Sequence, residues 1–297
     1  MEPKESDKGE RVAKLLARAG LCSRRDAERW IAEGRVSLRG EVLTSPAVNV
    51  GNPAELTVDG KPLPEADRAR LWRYHKPSGL VTTHRDEKGR ETVFDSLPKD
   101  LPRLISVGRL DLNSEGLLLL TNDGALARRL ELPANGWIRR YKVRVHGVVD
   151  PDRLAALEKG VTVDGVPYGP IQAVHEGDQR TSNVWITVSL REGRNREVRK
   201  VMAHLGLAVT RLIRLSYGPF QLGNLPRGSL EEVPPRVMRE QFGEEAKPGT
   251  AEKKPKPQRH QPEPKPQRPS RPNKNARDKA KAKHARMKKG MHADHRR

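Results

Sequence analysis

Cysteine is nearly missing: Cys22 is the only one in 297 residues. No intrachain disulfide can form, and a zinc site built on several thiolates is excluded. Long apolar runs are missing too. The longest unbroken leucine run, Leu117–Leu120, is far shorter than the roughly 20 apolar residues a spanning helix needs. The opening stretch MEPKESDKGE has no apolar core, so a secretory signal is not expected. Neither a cysteine cluster nor a Gly-rich phosphate loop occurs, so no metal, nucleotide or redox cofactor is expected. These absences point to a cytoplasmic protein with no membrane partner.

Acid is also in short supply. Lys and Arg number 58 against 38 Asp and Glu, a net charge of +20. From Glu244 onward, 18 basic and 6 acidic residues leave +12, so residues 1–243 still carry +8. A basic body implies a polyanionic partner, because Lys and Arg contacts to phosphates release counterions. The segment 244–297 contains no Val, Ile, Leu, Phe, Trp or Tyr. Too little apolar surface is available to offset the entropy of ordering, and a disordered basic tail is expected. Residues 1–9 are polar and are expected to be disordered as well.

What is present begins at Glu10. Val12, Leu15, Leu16 and Ala19 recur at helical spacing, with Lys14 and Arg18 off the stripe. Gly20 suits the left-handed position that stops a helix. Ser23 with Asp26 three residues later forms a capping-box pattern opening a second helix, which Gly34 ends. Arg35–Leu43 reads as a hairpin turning at Arg39-Gly40, and Glu55–Val58 as a strand before Asp59-Gly60. Arg24 and Arg25 fall in the first turn of the second helix. Cations there oppose the helix dipole unless a phosphate docks on the same end, so this placement points to RNA contact.

A linker rich in Pro, Asp and Arg (62–70) leads to a larger segment. Its expected strands include Leu71–Tyr74, Leu117–Thr121, Tyr141–Val145 and Val184–Leu190. Its expected helices are Gly124–Leu132, Pro151–Lys159 and Arg196–Leu205, and Pro234 to Phe242 closes it. Strands and helices intermingle without regular βαβ units, which gives an α+β class with a mixed, mainly antiparallel sheet. Asn113-Ser114-Glu115-Gly116 has turn composition, and Asn122 or Asp123 can cap the helix that follows. Asp111 stands before that turn, between two leucines and near Arg109. A carboxylate bordering a hydrophobic strand suits a pocket whose low-dielectric walls strengthen its electrostatics. On spacing alone, an Asp before a turn is more often structural.

Two groups of motifs resemble known families. LLARAGLCSRRDAERWIAEGRVSLRGEVL resembles the S4 domain, a small RNA-binding module. GRLDLNSEGLLLLTNDG resembles the signature of the pseudouridine synthase family that includes small-subunit synthase A and large-subunit synthases B, E and F. HKPSGLVTT, RRYKVRVHG, LREGRNREVRKVM and RLIRLSYG follow in the family's order, and GRNREVRK with RLDLN is most similar to the synthase B group. The resemblance covers roughly residues 10–243. It implies an S4 domain and linker at 10–70, a catalytic domain at 71–243 and the basic tail at 244–297. It also implies isomerisation of a uridine in ribosomal RNA, most plainly of the large subunit, to pseudouridine.

Carried over by motif, the resemblance puts the catalytic aspartate on Asp111 and the base-stacking aromatic on Tyr141. The basic partner of the aspartate falls on Arg199, and an apolar pocket wall on Leu212 or Ile213. Asp111 would act as nucleophile toward C1′ or C6, or as the base that removes the C2′ proton. RNA contacts are expected from Lys14, Arg18, Ser23, Arg24, Arg25, Arg35 and Arg109. The expected partner is ribosomal RNA or a pre-ribosomal particle, bound by a monomer. A catalytically silent RNA-binding factor is the competing reading, and Asp111, Tyr141 and Arg199 together argue against it. A nucleic-acid chaperone would explain only the tail.

Overall fold

A computed structural model describes residues 9–176 and 183–243. Of the segments expected to be disordered, residues 1–9 and 244–297, all but Gly9 lie outside the described residues. Gly9 lies inside them, against the Val50 backbone, where a Cβ would come within 2.6 Å of Val50 C.

The N-terminal module follows its sequence pattern closely. Helix Val12–Arg18 stops at Gly20, which takes φ +78°. Helix Arg24–Ala32 opens on Ser23, whose Oγ accepts from Asp26 N at 3.0 Å while Asp26 Oδ2 accepts from the Ser23 backbone. Arg39 and Gly40 both take positive φ between strands Val36–Leu38 and Glu41–Val42, as do Asp59 and Gly60 between Leu56–Val58 and Lys61–Pro62. Two positive φ values in succession match the twist of a tight hairpin. Val12, Leu16, Ala27, Ile31, Val36 and Leu56 form the core between the helices and these strands. Cys22 is buried there, and desolvation pushes its thiol up to about 11, which leaves it inert at neutral pH.

The larger part is α+β. Its main sheet runs in the spatial order Ile171–Glu176, Asn183–Leu190, Arg139–His146, Ala208–Tyr217, Ser114–Thr121, Leu71–Lys76, Leu230–Glu232. Neighbours are antiparallel except Ala208–Tyr217 with Ser114–Thr121, which run parallel. The leucine run sits in the middle of the sheet and is covered on both faces. Leu117 and Leu119 pack under helices Gly124–Glu131 and Pro235–Phe242, while Leu118 and Leu120 pack with Trp72, Tyr74 and Leu110. Two covered faces are why this strand reads as continuous rather than alternating apolar sequence. At the other end of the sheet, Val143, Val145, Ile186 and Val188 pack against helices Pro151–Ala156 and Glu197–His204.

Several boundaries differ from expectation. Ser114, Glu115 and Gly116 do not form a turn; they begin the strand, which spans Ser114–Thr121. Gly116 permits this: it takes φ +102°, and a Cβ there would stand 2.6 Å from Arg214 N. The glycine that looked like a turn signal is where two backbones touch. Helix Gly124–Glu131 stops one residue early, ahead of Pro133, and Asp123 rather than Asn122 caps it. Asn122 instead holds the preceding segment, accepting from Arg70 N at 2.8 Å. The helix Pro151–Ala156 tightens into a 3₁₀ turn at Leu157–Lys159. Arg196 is not helical; it takes the left-handed conformation, φ 53° and ψ 30°, as the N-cap of Glu197–His204. Among the described residues, no helix is long and apolar enough to cross a membrane.

Candidate active site

Asp111 stands where the loop from Val107 enters the central strand, and its backbone is tied down from several sides. Ser114 N donates to Asp111 O at 3.0 Å, and Gly79 N donates to Leu112 O at 2.9 Å. Thr82 Oγ1 donates to Leu110 O at 2.9 Å. Beneath the loop lies Lys76, fully buried, whose ammonium donates to Pro77 O, Asp111 O, Leu112 O and Ser114 O at 3.0, 3.2, 3.3 and 2.9 Å. Burial pulls the Lys76 pKa down to about 8, against the opposing pull of the Asp111 and Glu115 carboxylates. Lys76 completes an inward-facing series with Trp72 and Tyr74, spaced by two, and that alternation is the sequence signal that could have singled it out.

The Asp111 carboxylate meets two guanidinium groups. Its Oδ2 is 3.6 Å from Arg196 Nη1 and 3.9 Å from Arg199 Nε. Arg199 is largely enclosed, and its other nitrogens donate to Val209 O at 3.3 Å and Asn113 O at 3.1 Å. Its pKa is lowered chiefly by burial and then by Arg196, with Asp111 opposing. Arg196, which the motif reading left out, reaches Asp111 from a left-handed N-cap position. A non-glycine residue held there stores strain of about 1 kcal/mol or more, a common feature of functional sites.

Asp111 and Arg199 line a cleft of about 770 Å³ together with Tyr141 and Leu212. Tyr141 is 8% exposed. It opposes Val188 on one neighbouring strand and Arg214 on the other. Leu212 lines the cleft, while Ile213 packs against the cluster under the helices on the far face. Arg109 is exposed at the rim. The four residues expected to surround the reaction therefore share one cavity. Among the described residues, no group of three or more His, Cys, Asp or Glu side chains is placed to hold a metal ion.

The RNA contacts expected in the N-terminal module divide into two groups. Lys14 and Arg18 are paired with Glu10 at 2.5 and 3.5 Å. Ser23 spends its hydroxyl on the capping box, donating to Asp26 Oδ2 at 2.6 Å. Arg35 makes a two-pronged contact with Asp59 at 2.9 and 2.6 Å and stacks on Trp30, 4.6 Å from the ring centre. These four are engaged within the fold. Arg24 and Arg25 are exposed and form no ion pair among the described residues. None of the six lines the cleft.

The family model described as RNA pseudouridylate synthase matches residues 70–204, and the S4 domain model matches residues 10–53. A protein described as an uncharacterized RNA pseudouridine synthase from Rickettsia bellii is 47% identical over 230 residues, covering 77% of this chain and 99% of its own length. The ribosomal large subunit pseudouridine synthase B of Yersinia pestis is 43% identical over 232 residues, covering 76% of this chain and 73% of its own. A crystal structure of a pseudouridylate synthase superimposes with a TM-score of 0.56 at 25% identity, covering 78% of this chain and 99% of that one. With an S4 domain at its N-terminus and a near-full-length relative at 47% identity, the chain belongs to the RNA pseudouridine synthase family.

Proposed function

We propose that this enzyme converts a uridine of ribosomal RNA, in the large subunit, to pseudouridine, with Asp111 as the catalytic carboxylate. The observation that carries the reading is the placement of Asp111 at a cleft it shares with Arg199, Tyr141 and Leu212. The synthase B relatives support the choice of RNA. In this reading residues 10–70 bind RNA, residues 71–243 carry the chemistry, and the protein works as a cytoplasmic monomer on ribosomal RNA or a pre-ribosomal particle.

The reacting atoms of a stacked uridine are out of reach, so the nucleotide must flip into the cleft, at a cost of a few kcal/mol. Tyr141 and Leu212 would sandwich the base, where aromatic stacking is worth about 1–3 kcal/mol. Asp111 then attacks C1′ or C6, or removes the C2′ proton; each role needs the same carboxylate at the cleft floor. Arg196 and Arg199 aim that carboxylate and compensate its charge while water is excluded. After the C1′–N1 bond breaks, the base turns and reattaches through C5. The C5 proton leaves and N1 gains one, so reactant and product have the same composition.

Pseudouridine mapping of ribosomal RNA, with and without this protein, tests the proposal. One large-subunit position should lose its signal when the protein is absent and regain it with purified enzyme. An unchanged map with RNA binding intact would favour the silent binding factor. For the N-terminal module, Arg24→Ala with Arg25→Ala should weaken binding to ribosomal RNA fragments. The log–log salt slope should flatten by up to about two, one for each phosphate contact removed. Titrations at several salt concentrations check this; an unchanged slope would return both arginines to plain solvation.

A further inference from the structure

Buried polar atoms without a partner are rare in folded proteins, and each calls for an explanation. Among the described residues, four of the six such side-chain atoms belong to residues lining the Asp111 cleft: Ser114 Oγ, Glu197 Oε1, Arg199 Nε and Arg214 Nη2. Arg199 Nε is turned toward Asp111. The other three residues are more than nine-tenths buried, with Ser114 1%, Arg214 3% and Glu197 4% exposed. Glu197 holds the adjoining turn through its second oxygen, which accepts from Arg194 N at 2.8 Å.

Arg214 stands out. It occupies an inward position on the Ala208–Tyr217 strand, in register with Tyr141 on one neighbour and Gly116 on the other. Its Nε donates to Leu117 O at 2.7 Å, and the guanidinium lies 5.2 Å from the Tyr217 ring centre. Beside that hydrogen bond, its Nη2 is buried without an acceptor among the described residues. A guanidinium cannot shed its proton, so a buried one is costly unless an acceptor arrives. Ser114, in register with Leu212, adds a hydroxyl to the same patch.

We infer that Arg214, supported by Ser114, is the residue that holds the uracil base by its carbonyl oxygens throughout the reaction. This rests on the functional reading above. Uracil exposes acceptors at O2 and O4 on either side of N3–H. When the base turns about the axis through N3 and C6, C5 replaces N1, and the two carbonyls exchange places. A donor aimed at one carbonyl therefore faces a carbonyl both before and after the turn. While the base is detached, the electron pair left by the C1′–N1 bond spreads from N1 onto O2 and O4. A fixed cation at those oxygens stabilises that anion most when its charge is greatest. Cytosine, with an amino group at C4, would present a donor to the guanidinium in one of the two orientations.

The test uses the full-length enzyme and target RNAs carrying uridine, 2-thiouridine or 4-thiouridine at the modified position, with single-turnover rates. Sulfur is a weak acceptor. The wild type should convert both thio substrates roughly ten- to a hundredfold more slowly than uridine, the worth of one charge-assisted hydrogen bond. Arg214→Met should convert uridine slowly and lose most of that discrimination, and the ratio of ratios cancels the intrinsic effect of sulfur on base departure. A merely structural arginine would change all three rates together. A wild type indifferent to sulfur, or a variant that keeps the full discrimination, would overturn the inference. If Arg214→Met does not fold, Arg214→Lys takes its place: it keeps the charge but loses the planar fork, so its thio-to-uridine rate ratios should depart from the wild type's, and unchanged ratios would overturn the inference. Failure of the wild type to convert uridine would instead sink the functional reading, and this inference with it.

Discussion

Asp111→Asn should abolish pseudouridine formation, by at least about 10³-fold in a single-turnover assay, while leaving the protein folded and able to bind RNA. The substitution keeps the size and most of the hydrogen-bonding ability of the side chain. It removes the oxygen that attacks or accepts a proton. Little stability is at stake, since the carboxylate is 31% exposed and its ion pairs, at 3.6 and 3.9 Å, are long. The loop is held through its backbone, by Lys76, Thr82 and Gly79, and those contacts survive. Rescue by a neighbouring acid is blocked by geometry. Glu115 points away from the cleft into Arg211 and Arg227, at 2.8 and 3.0 Å, and Glu197 is tied to Arg194 N. RNA affinity should hold or rise slightly, because one anion facing the phosphates is gone. Tyr141→Phe should be milder, since the stacking face is kept. Quantitative conversion of a target RNA beside a melting curve checks both variants. Substantial product from a well-folded Asp111→Asn protein would remove Asp111 from the catalytic role.

Local devices were legible in the sequence because they depend on residues a few positions apart. The Ser23–Asp26 box, the Arg39-Gly40 turn and the Gly20 stop each follow from side-chain chemistry within one turn. The leucine run was legible as a buried strand, since continuous apolar sequence marks two covered faces; which helices cover it was not, since they lie farther along the chain. Ser114–Gly116 was misread as a turn because glycine serves turns and close backbone contacts alike; only the approach of Arg214 separates the two. In the site, Asp111, Tyr141 and Arg199 were visible through motifs. Arg196 and Arg214 were not, because their contacts form when distant segments meet, at Asp111 and at Leu117; for Lys76 the sequence held only the alternation of its strand. Arg35, one of the expected RNA contacts, is paired in the fold with Asp59, 24 residues away, a partner that its local sequence does not show.

Lys76→Met should lower the single-turnover rate by roughly 10²-fold while changing stability far less, a split that a space-filling residue would not produce. The ammonium gathers three carbonyl oxygens of the segment that presents Asp111, with the neighbouring Pro77 O as a fourth acceptor. Methionine fills similar volume but donates nothing. Asp111 O and Leu112 O keep one donor each, from Ser114 N and Gly79 N, so the loop loosens rather than collapses. A displacement of about 1 Å at a catalytic group is enough for a loss of that order. Stability moves little because two effects oppose each other: hydrogen bonds vanish, and so does the penalty for burying a charge. That penalty can be read from pH. The folded Lys76 pKa, about 8, lies below its ordinary 10.5. Below pH 8 both folded and unfolded chains hold the proton, and the penalty is fully present. Between pH 8 and 10.5 the unfolded chain binds more protons, so this group's contribution to stability rises with pH, by about 3 kcal/mol in all. Activity should move the other way. A neutral amine has two hydrogens to donate instead of three, so the wild-type rate should fall as pH rises through about 8. The variant should show neither the rate limb nor the stability slope, as rates and urea midpoints measured from pH 7 to 10 would reveal. A Lys76→Met enzyme with wild-type rate, or with the wild-type pH slope intact, would show that the buried ammonium does not position Asp111.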